Sequence, residues 1–302
     1  MISLRARLVK SLLRLYTFPV RLRHGSLSRS AKFSDAGYEP EGMDTQARIC
    51  GGVRVETLVP PSAAGLLIHF HGGGHTARMN DFYRRAAGRY ALAGFVVHSI
   101  DYEAGADKRH PALLNDCLAA VRALAAESDI SSAVFAGDSM GANLMLSSCL
   151  RLRDEGMPMP AALVAVSPFV DLTASGDSYR VNCHRDPMYA LPFWQSFARH
   201  EKAIRRTSPY AEGRDPRDPY LSPAFADFSG FPPLLVQCGG CETSASDALM
   251  LAGRFREAGA PVKLTVYKGM FHDFQYLFPR LPESRRAWDE IHSFLRGAAG
   301  SG

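Results

Sequence analysis

The sequence predicts an α/β fold, with a mostly parallel sheet covered by helices on both faces. Two observations carry that reading. From residue 64 onward, short apolar runs alternate with segments of helical periodicity, which is the order that lays parallel strands beside one another through crossover helices. The runs are themselves short and apolar, as strands covered on both faces are. At 302 residues, 46% apolar and 22% charged, the chain has an ordinary globular composition and can bury one large core or two small ones.

The elements follow in order. Leu66-Leu-Ile-His-Phe70 is the first clear strand and Gly94-Phe-Val-Val-His-Ser-Ile100 the next. A helix spans about 112–127, where Leu113, Leu114, Cys117, Leu118, Val121 and Leu124 share one face. Ala133-Val-Phe-Ala136 reads as a strand, 142–153 as a helix, and Ala162-Leu-Val-Ala-Val166 and Pro233-Leu-Leu-Val-Gln237 as strands. A helix at 245–258, the strand Val262-Lys-Leu-Thr-Val-Tyr267 and a helix at 283–295 complete the series. Between about 171 and 225 there is no clear strand, only helix-like pieces and the turn-forming Asp186-Pro, Asp215-Pro and Asp218-Pro pairs. So long an insert in a compact domain is usually functional, such as a lid.

The net charge of +5 is unevenly spread. Arg5, Arg7, Lys10, Arg14, Arg21, Arg23, Arg29 and Lys32 fall within residues 1–32 with no acid among them, and the rest of the chain is slightly acidic. A nucleic-acid binder would carry its basic patch on the folded body, so that class is set aside. Leu4, Leu8, Leu12 and Leu15 recur at four- and three-residue steps, marking an amphipathic helix. Charges interrupt every apolar core a secretory signal would need. A helix packed over the body is the plainer reading, and a membrane-surface or targeting helix is the other. No stretch approaches the roughly 18 apolar residues of a membrane span. Six scattered cysteines without a signal peptide predict reduced thiols in a cytoplasmic setting.

Three motifs carry chemistry. Gly137-Asp-Ser-Met-Gly141 lies between a strand and a helix, where G-x-S-x-G forms a turn too tight for neighbouring side chains and thrusts its serine out at the helix head. His71-Gly-Gly-Gly74 ends the first strand, and its glycines let main-chain N–H groups approach an oxyanion. No Lys-Ser/Thr follows, so it is not a phosphate loop. Gly269-Met-Phe-His-Asp-Phe274 follows the strand 262–267 and supplies a late histidine, His272, in the chain order serine, acid, histidine. His69, His71 and His75 cluster, but on a strand and glycine loop without the helical pairing of metal ligands, so no metal is expected.

With these motifs the sequence resembles the bacterial hormone-sensitive-lipase family of esterases over about residues 60–298. Asp101-Tyr102, Pro111-Ala-Leu-Leu-Asn-Asp116, Ser167-Pro-Phe-Val-Asp-Leu-Thr173, Asp215-Pro-Arg-Asp-Pro-Tyr-Leu-Ser-Pro223 and Phe231-Pro-Pro-Leu-Leu235 are similar to family landmarks. The resemblance implies an α/β-hydrolase fold: one domain over 1–302 with an eight-stranded sheet and cap elements from about 1–45 and 171–225. It implies hydrolysis of carboxylic esters, usually with short to medium acyl chains, without a cofactor; lactones and acetylated small molecules stay open as substrates. It is also compatible with a homodimer paired through the sheet edge, and makes the basic N-terminal helix a cap element. Two departures stand out: Met140 replaces the usual alanine, and Glu103-Ala-Gly-Ala-Asp107 lacks the usual Ala-Pro-Glu.

A third departure concerns the triad acid. In Val236-Gln-Cys-Gly-Gly-Cys-Glu-Thr-Ser244, Cys241 occupies the place where the family typically has aspartate. Glu242, adjacent and one methylene longer, is the expected acid. Asp247, in the first turn of the next helix, is the alternative, with a helix-end role also open to it. An incomplete triad would leave a weak catalyst or a ligand-binding protein on the same fold, since loss of the acid costs about 10⁴ in kcat in a serine protease. Cys238-Gly-Gly-Cys241 before a helix also fits a thiol redox protein. The expectation is a serine esterase acting on a small-molecule ester: Ser139 as nucleophile, His272 as base, Glu242 as acid, and the N–H groups of Gly73, Gly74 and Met140 as oxyanion hole.

Overall fold

The computed structural model of the chain describes residues 2–24, 40–189 and 209–299. One eight-stranded sheet runs through it in the order β1-β2-β4-β3-β5-β6-β7-β8. The parallel strands are β3 (Gly65–Phe70), β4 (Phe95–Asp101), β5 (Val134–Asp138), β6 (Ala162–Val166), β7 (Leu234–Gly239) and β8 (Val262–Tyr267). All of these were legible as apolar runs. The other two, β1 (Asp44–Cys50) and β2 (Val53–Val59), form an antiparallel hairpin that continues antiparallel onto β4. Gly51 and Gly52 turn it with φ of +58° and +85°, and a Cβ on Gly51 would come within 2.3 Å of the Ala119 carbonyl oxygen. A Gly-Gly pair between two strand-like runs is the signal that finds this hairpin.

Helices cover both faces. On one lie α3 (Ala112–Ala125), α4 (Met140–Asp154) and α6 (Ala245–Glu257), packing Leu113, Leu118, Leu144, Leu146, Leu251 and Phe255 against Phe70, Phe135, Leu163 and Val236. On the other lie α2 (Asp81–Ala91) and α8 (Pro282–Ala299), with Ala86, Tyr90, Trp288, Ile291 and Leu295 against Leu67, Val97, Val134, Val164 and Leu235. The alternation of Val134 and Phe135 between the two layers is the period-two geometry of a strand, and it explains why both faces of β5 must be apolar. Helix α2 is not evident from periodicity, because its buried face is built largely from Ala86, Ala87, Gly88 and Tyr90. Asn80 caps it through the Phe82 N–H at 3.0 Å. The short helices α5 (Ser178–Val181) and α7 (Phe274–Leu277) lie on the connections.

In the 171–225 segment, the described residues hold α5 and two 3₁₀ turns and no strand. The expected cap stretches at 25–39 and 190–208 lie outside the described residues.

The N-terminal helix α1 (Leu4–His24) packs over the body, as the plainer reading has it. Its inner face is not the leucine stripe. Ala6, with Ile2, Val9 and Leu13, packs against Met188, Met270, Phe271 and Phe274. Lys10 on the same face donates to the Cys241 sulfur and to the Gly269 carbonyl, both at 3.0 Å. Ser3 bonds the Glu283 carboxylate through its N–H and hydroxyl at 2.6 and 3.0 Å. Leu4, Leu8, Leu12 and Leu15 face outward. The helix carries two apolar stripes, and close approach to the body selects the one containing small Ala6 and the anchoring Lys10. Among the described residues, no helix is long and apolar enough to cross a membrane.

The join between β5 and α4 fixes how closely α4 lies on β3. A Cβ on Gly141 would come within 2.0 Å of the Phe70 carbonyl oxygen. Gly141→Ala is therefore expected to destabilise the protein by about 3 kcal/mol or more, read from denaturant midpoints. A midpoint equal to that of the parent would contradict this packing.

Candidate active site

Ser139 sits at the join, with φ +50° and ψ −119°, a region that costs a non-glycine residue of order 1–3 kcal/mol and persists only when its surroundings over-determine it. Here they do. Its N–H donates to the Val166 carbonyl at 2.9 Å, and its carbonyl accepts from the Phe169 N–H at 3.1 Å. On the sequence's other glycine, Gly137, a Cβ would fall 2.6 Å from the Gly141 carbonyl oxygen. Ser139 heads α4 without using its hydroxyl as a cap.

The loop after β3 is locked against this turn. The Gly72 N–H donates to Asp138 Oδ1 at 3.0 Å, and the Tyr102 hydroxyl donates to the His71 carbonyl at 2.8 Å. Gly73 and Gly74 follow with φ of +97° and +64°. A Cβ on Gly73 would approach the Tyr83 hydroxyl to 2.8 Å, whereas one on Gly74 would meet nothing within 4 Å. Burial pulls His69 down to about 3 and His71 down to about 4, so both are neutral. His69 Nδ1 pairs with Ser99 Oγ at 3.1 Å, and the His71 ring stacks on Tyr102. These are packing roles. The side chain of Met140 is 2% exposed and lies in the α3/α4 core, so its bulk is taken up there.

His272 follows β8. Its Nδ1 lies 3.3 Å from Glu242 Oε2, and the Tyr189 ring stands edge-on to it at 4.9 Å. Asp273 Oδ2 is 3.2 Å from Nε2, without hydrogen-bond alignment. Burial works against the imidazolium, but the charge of Asp273, then Tyr189, and the bond to Glu242 outweigh it and hold the pKa well above 6.5. Asp138 moves the same way for a different reason: burial, then the Asp273 charge, raises it far above the usual carboxylate range.

Glu242 is fully buried. Its Oε1 accepts from Ser167 Oγ at 2.8 Å and from the Gly239 N–H, leaving Oε2 toward His272. Asp247 is engaged elsewhere. It accepts from the N–H groups of Val170 and Asp171 at 2.9 and 3.0 Å and from the Tyr179 hydroxyl at 3.2 Å. Of the two candidate acids, Glu242 is the one beside His272. The two cysteines are buried and free. Burial, then Glu242 and Asp247, pushes the Cys238 thiol well up, opposite to the lowered thiol a redox dithiol needs.

Two residues here were not singled out as site residues. Ser167, with φ +45°, donates to Glu242 and accepts from the Asp273 N–H at 3.0 Å, so one hydroxyl joins the acid turn to the histidine turn. It was visible only as the first residue of Ser167-Pro-Phe, with nothing local to assign it a role. Asp186 accepts from the Met188 and Thr243 N–H groups at 2.9 and 3.2 Å, tying the segment over His272 to the acid turn. Burial, offset by His272, pushes it up to about 6.

Residues 67–276 match the α/β-hydrolase fold family. The chain is 34% identical over 273 residues to an acetyl-hydrolase of Streptomyces hygroscopicus, covering 89% of this chain and 87% of that protein. It is 30% identical to an esterase of Acinetobacter venetianus, over 80% of this chain and 78% of the relative. Among solved structures, an esterase from the bacterial hormone-sensitive lipase family superposes with a TM-score of 0.81 at 31% identity, covering 99% of both chains. An esterase/lipase from an uncultured bacterium gives 0.84 at 25%, also over 99% of both.

Ser167→Ala strips one partner from buried Glu242 and another from the Asp273 N–H. A loss of about 1–3 kcal/mol is expected, measured as a lowered Tm. An unchanged Tm would mean that the hydroxyl is not the tie between the turns.

Proposed function

The chain belongs to the α/β-hydrolase fold family, among the bacterial hormone-sensitive-lipase esterases, and from that premise we propose a serine carboxylesterase working through an acyl-enzyme. The observation that carries it is the buried histidine whose Nδ1 faces Glu242 at 3.3 Å, in a chain whose strained Ser139 heads a helix. Ser139 Oγ attacks the ester carbonyl as its proton passes to His272 Nε2. Glu242 at Nδ1 orients the ring and stabilises the imidazolium. The N–H groups of Gly73, Gly74 and Met140 take the developing oxyanion. His272 then gives its proton to the departing alcohol, and a water repeats the sequence on the acyl-enzyme.

The substrates are small carboxylic esters with short to medium acyl chains. The relative named acetyl-hydrolase supports a small acyl group, with acetylated small molecules and lactones in the same chemistry. Ser139 is 7% and His272 3% exposed. We read α1 and the described parts of 171–225, with Met188 and Tyr189 near the base, as a cap that must shift to admit substrate. Free buried cysteines support a cytoplasmic setting, and the open edge of β8 is where a second copy would pair. The ligand-binding alternative has no observation of its own in support.

Hydrolysis of p-nitrophenyl acetate through octanoate tests the reading. Ser139→Ala is expected to abolish turnover, and Glu242→Gln to cut kcat by roughly 10³–10⁴ with little change in KM. Asp247→Asn should lower Tm while sparing the chemistry. Full turnover by Ser139→Ala would end the proposal, and a harmless Glu242→Gln would move the acid elsewhere.

The pH profile has a definite sign. His272 faces Glu242, Asp273, Asp186, Asp138 and Tyr189, and its pKa is raised above the ordinary imidazole value, by the Asp273 charge first. The acid limb of kcat/KM should therefore lie on the alkaline side of an ordinary histidine, with activity climbing as pH rises through it. Asp273→Asn removes a charge that favours imidazolium, so the acid limb should move to lower pH. An unmoved limb would exclude Asp273 from setting it.

A further inference from the structure

We propose that the outward face of α1 docks on an anionic phospholipid surface. Among the described residues, ten large apolar side chains are exposed, and five of them lie on this helix: Leu4 (81%), Leu8 (61%), Leu12 (55%), Leu15 (72%) and Tyr16 (75%). The others, Ile49, Leu92, Val181, Leu249 and Val266, are dispersed over the body. Scattered singles need no explanation, but a continuous patch does. At helical spacing the four leucines fall within an arc of about 80°. Arg5 and Tyr16 border that arc on one side, and Arg7, Ser11 and Arg14 border it on the other.

The patch is not the exposed back of a loose helix. The opposite face is fastened by Ser3 to Glu283, by Lys10 to Cys241 and Gly269, and by the Thr17 hydroxyl to the Pro187 carbonyl at 2.9 Å. What the fold leaves outward is a leucine stripe rimmed by cations, the composition of a helix lying in a lipid–water interface.

Charge selects the occupant. Residues 1–32 carry eight basic side chains and no acid. A second copy seated on the stripe would set two arginine rims against each other. The segment 190–208 of this chain is itself basic, with Arg199, Lys202, Arg205 and Arg206 against Glu201. An anionic bilayer complements both the stripe and its rim, gaining about fivefold in partitioning for each basic residue held near it. Because α1 lies between this face and the turns bearing Glu242 and His272, docking would bring an ester dissolved in lipid to the site's own side of the molecule.

The inference is independent of the esterase reading, so the full-length Ser139→Ala protein serves for the test. Flotation with vesicles of phosphatidylcholine alone is compared with vesicles of phosphatidylcholine and phosphatidylglycerol. Binding should be at least about tenfold stronger to the anionic vesicles and should weaken as salt rises from about 0.1 to about 1 M. Leu8→Glu with Leu12→Glu, and separately Arg5→Glu with Arg7→Glu, should each lower it by about tenfold or more at an unchanged Tm. The proposal is overturned by equal binding to both vesicles, or by leucine variants that bind as the parent does. It is overturned too if the leucine variants lower Tm, which would mean that the chain covers its own stripe. Conversion of a dimer to a monomer by those variants, read by sedimentation, would assign the stripe to a second copy and overturn it equally.

Discussion

The approach of Gly141 to the Phe70 carbonyl is the constraint on which the rest of the site depends. Because no side chain separates α4 from β3 there, the β5–α4 connection becomes a turn in which Ser139 must take positive φ. The same closeness puts Asp138 beside Gly72, so its carboxylate can take the Gly72 N–H and hold the glycine loop in place. The strain at Ser139 is offset by the parallel pairing of β3, β5 and β6, which Phe70, Phe135 and Leu163 anchor in the larger core. Ser139 and the glycine loop are thus positioned by one packing event.

Around that turn the protein buries an unusual amount of carboxylate. Asp138, Asp186, Glu242, Asp247 and Asp273 are all buried, and an isolated buried charge is costly. Four of them are carried by main-chain N–H donors: Gly72 for Asp138, Met188 and Thr243 for Asp186, Gly239 for Glu242, Val170 and Asp171 for Asp247. Asp273 instead lies against the His272 ring, and burial, then the Asp273 charge, raises the Asp138 carboxyl well above its ordinary range. The acids therefore do two kinds of work: most fasten one connection to another, and one pair addresses the two nitrogens of a single imidazole.

How much of this was legible in the sequence depended on whether the information was local. The six parallel strands were readable because each is an apolar run between turn residues, and Ser139, His71–Gly74 and His272 because each sits in a short motif at a strand end. The adjacency of Glu242 to Cys241 was enough to place a carboxylate by the histidine. The β1–β2 hairpin was overlooked although Gly51-Gly52 marks it. The role of Ser167 could not be read, because it rests on hydrogen bonds to residues 75 and 106 positions away. The leucines of α1 mark a helix but not its inner side for a related reason: periodicity finds a face, but which of two apolar faces goes inward is decided by what lies beneath.

That last point bears on the order in which the chain can assemble. Hydrogen-bond partners of α1 and of Ser3 before it include His184, Arg185, Pro187, Cys241, Gly269 and Glu283, and the Lys10 contacts span 231 and 259 positions. During synthesis, which proceeds from the N-terminus, the helix emerges before any of them exists. For most of that time the stripe of Ala6, Val9 and Leu13 is without the partners that will cover it. The segment that finally braces the acid and histidine turns is made before all of these partners and can find its place only after them.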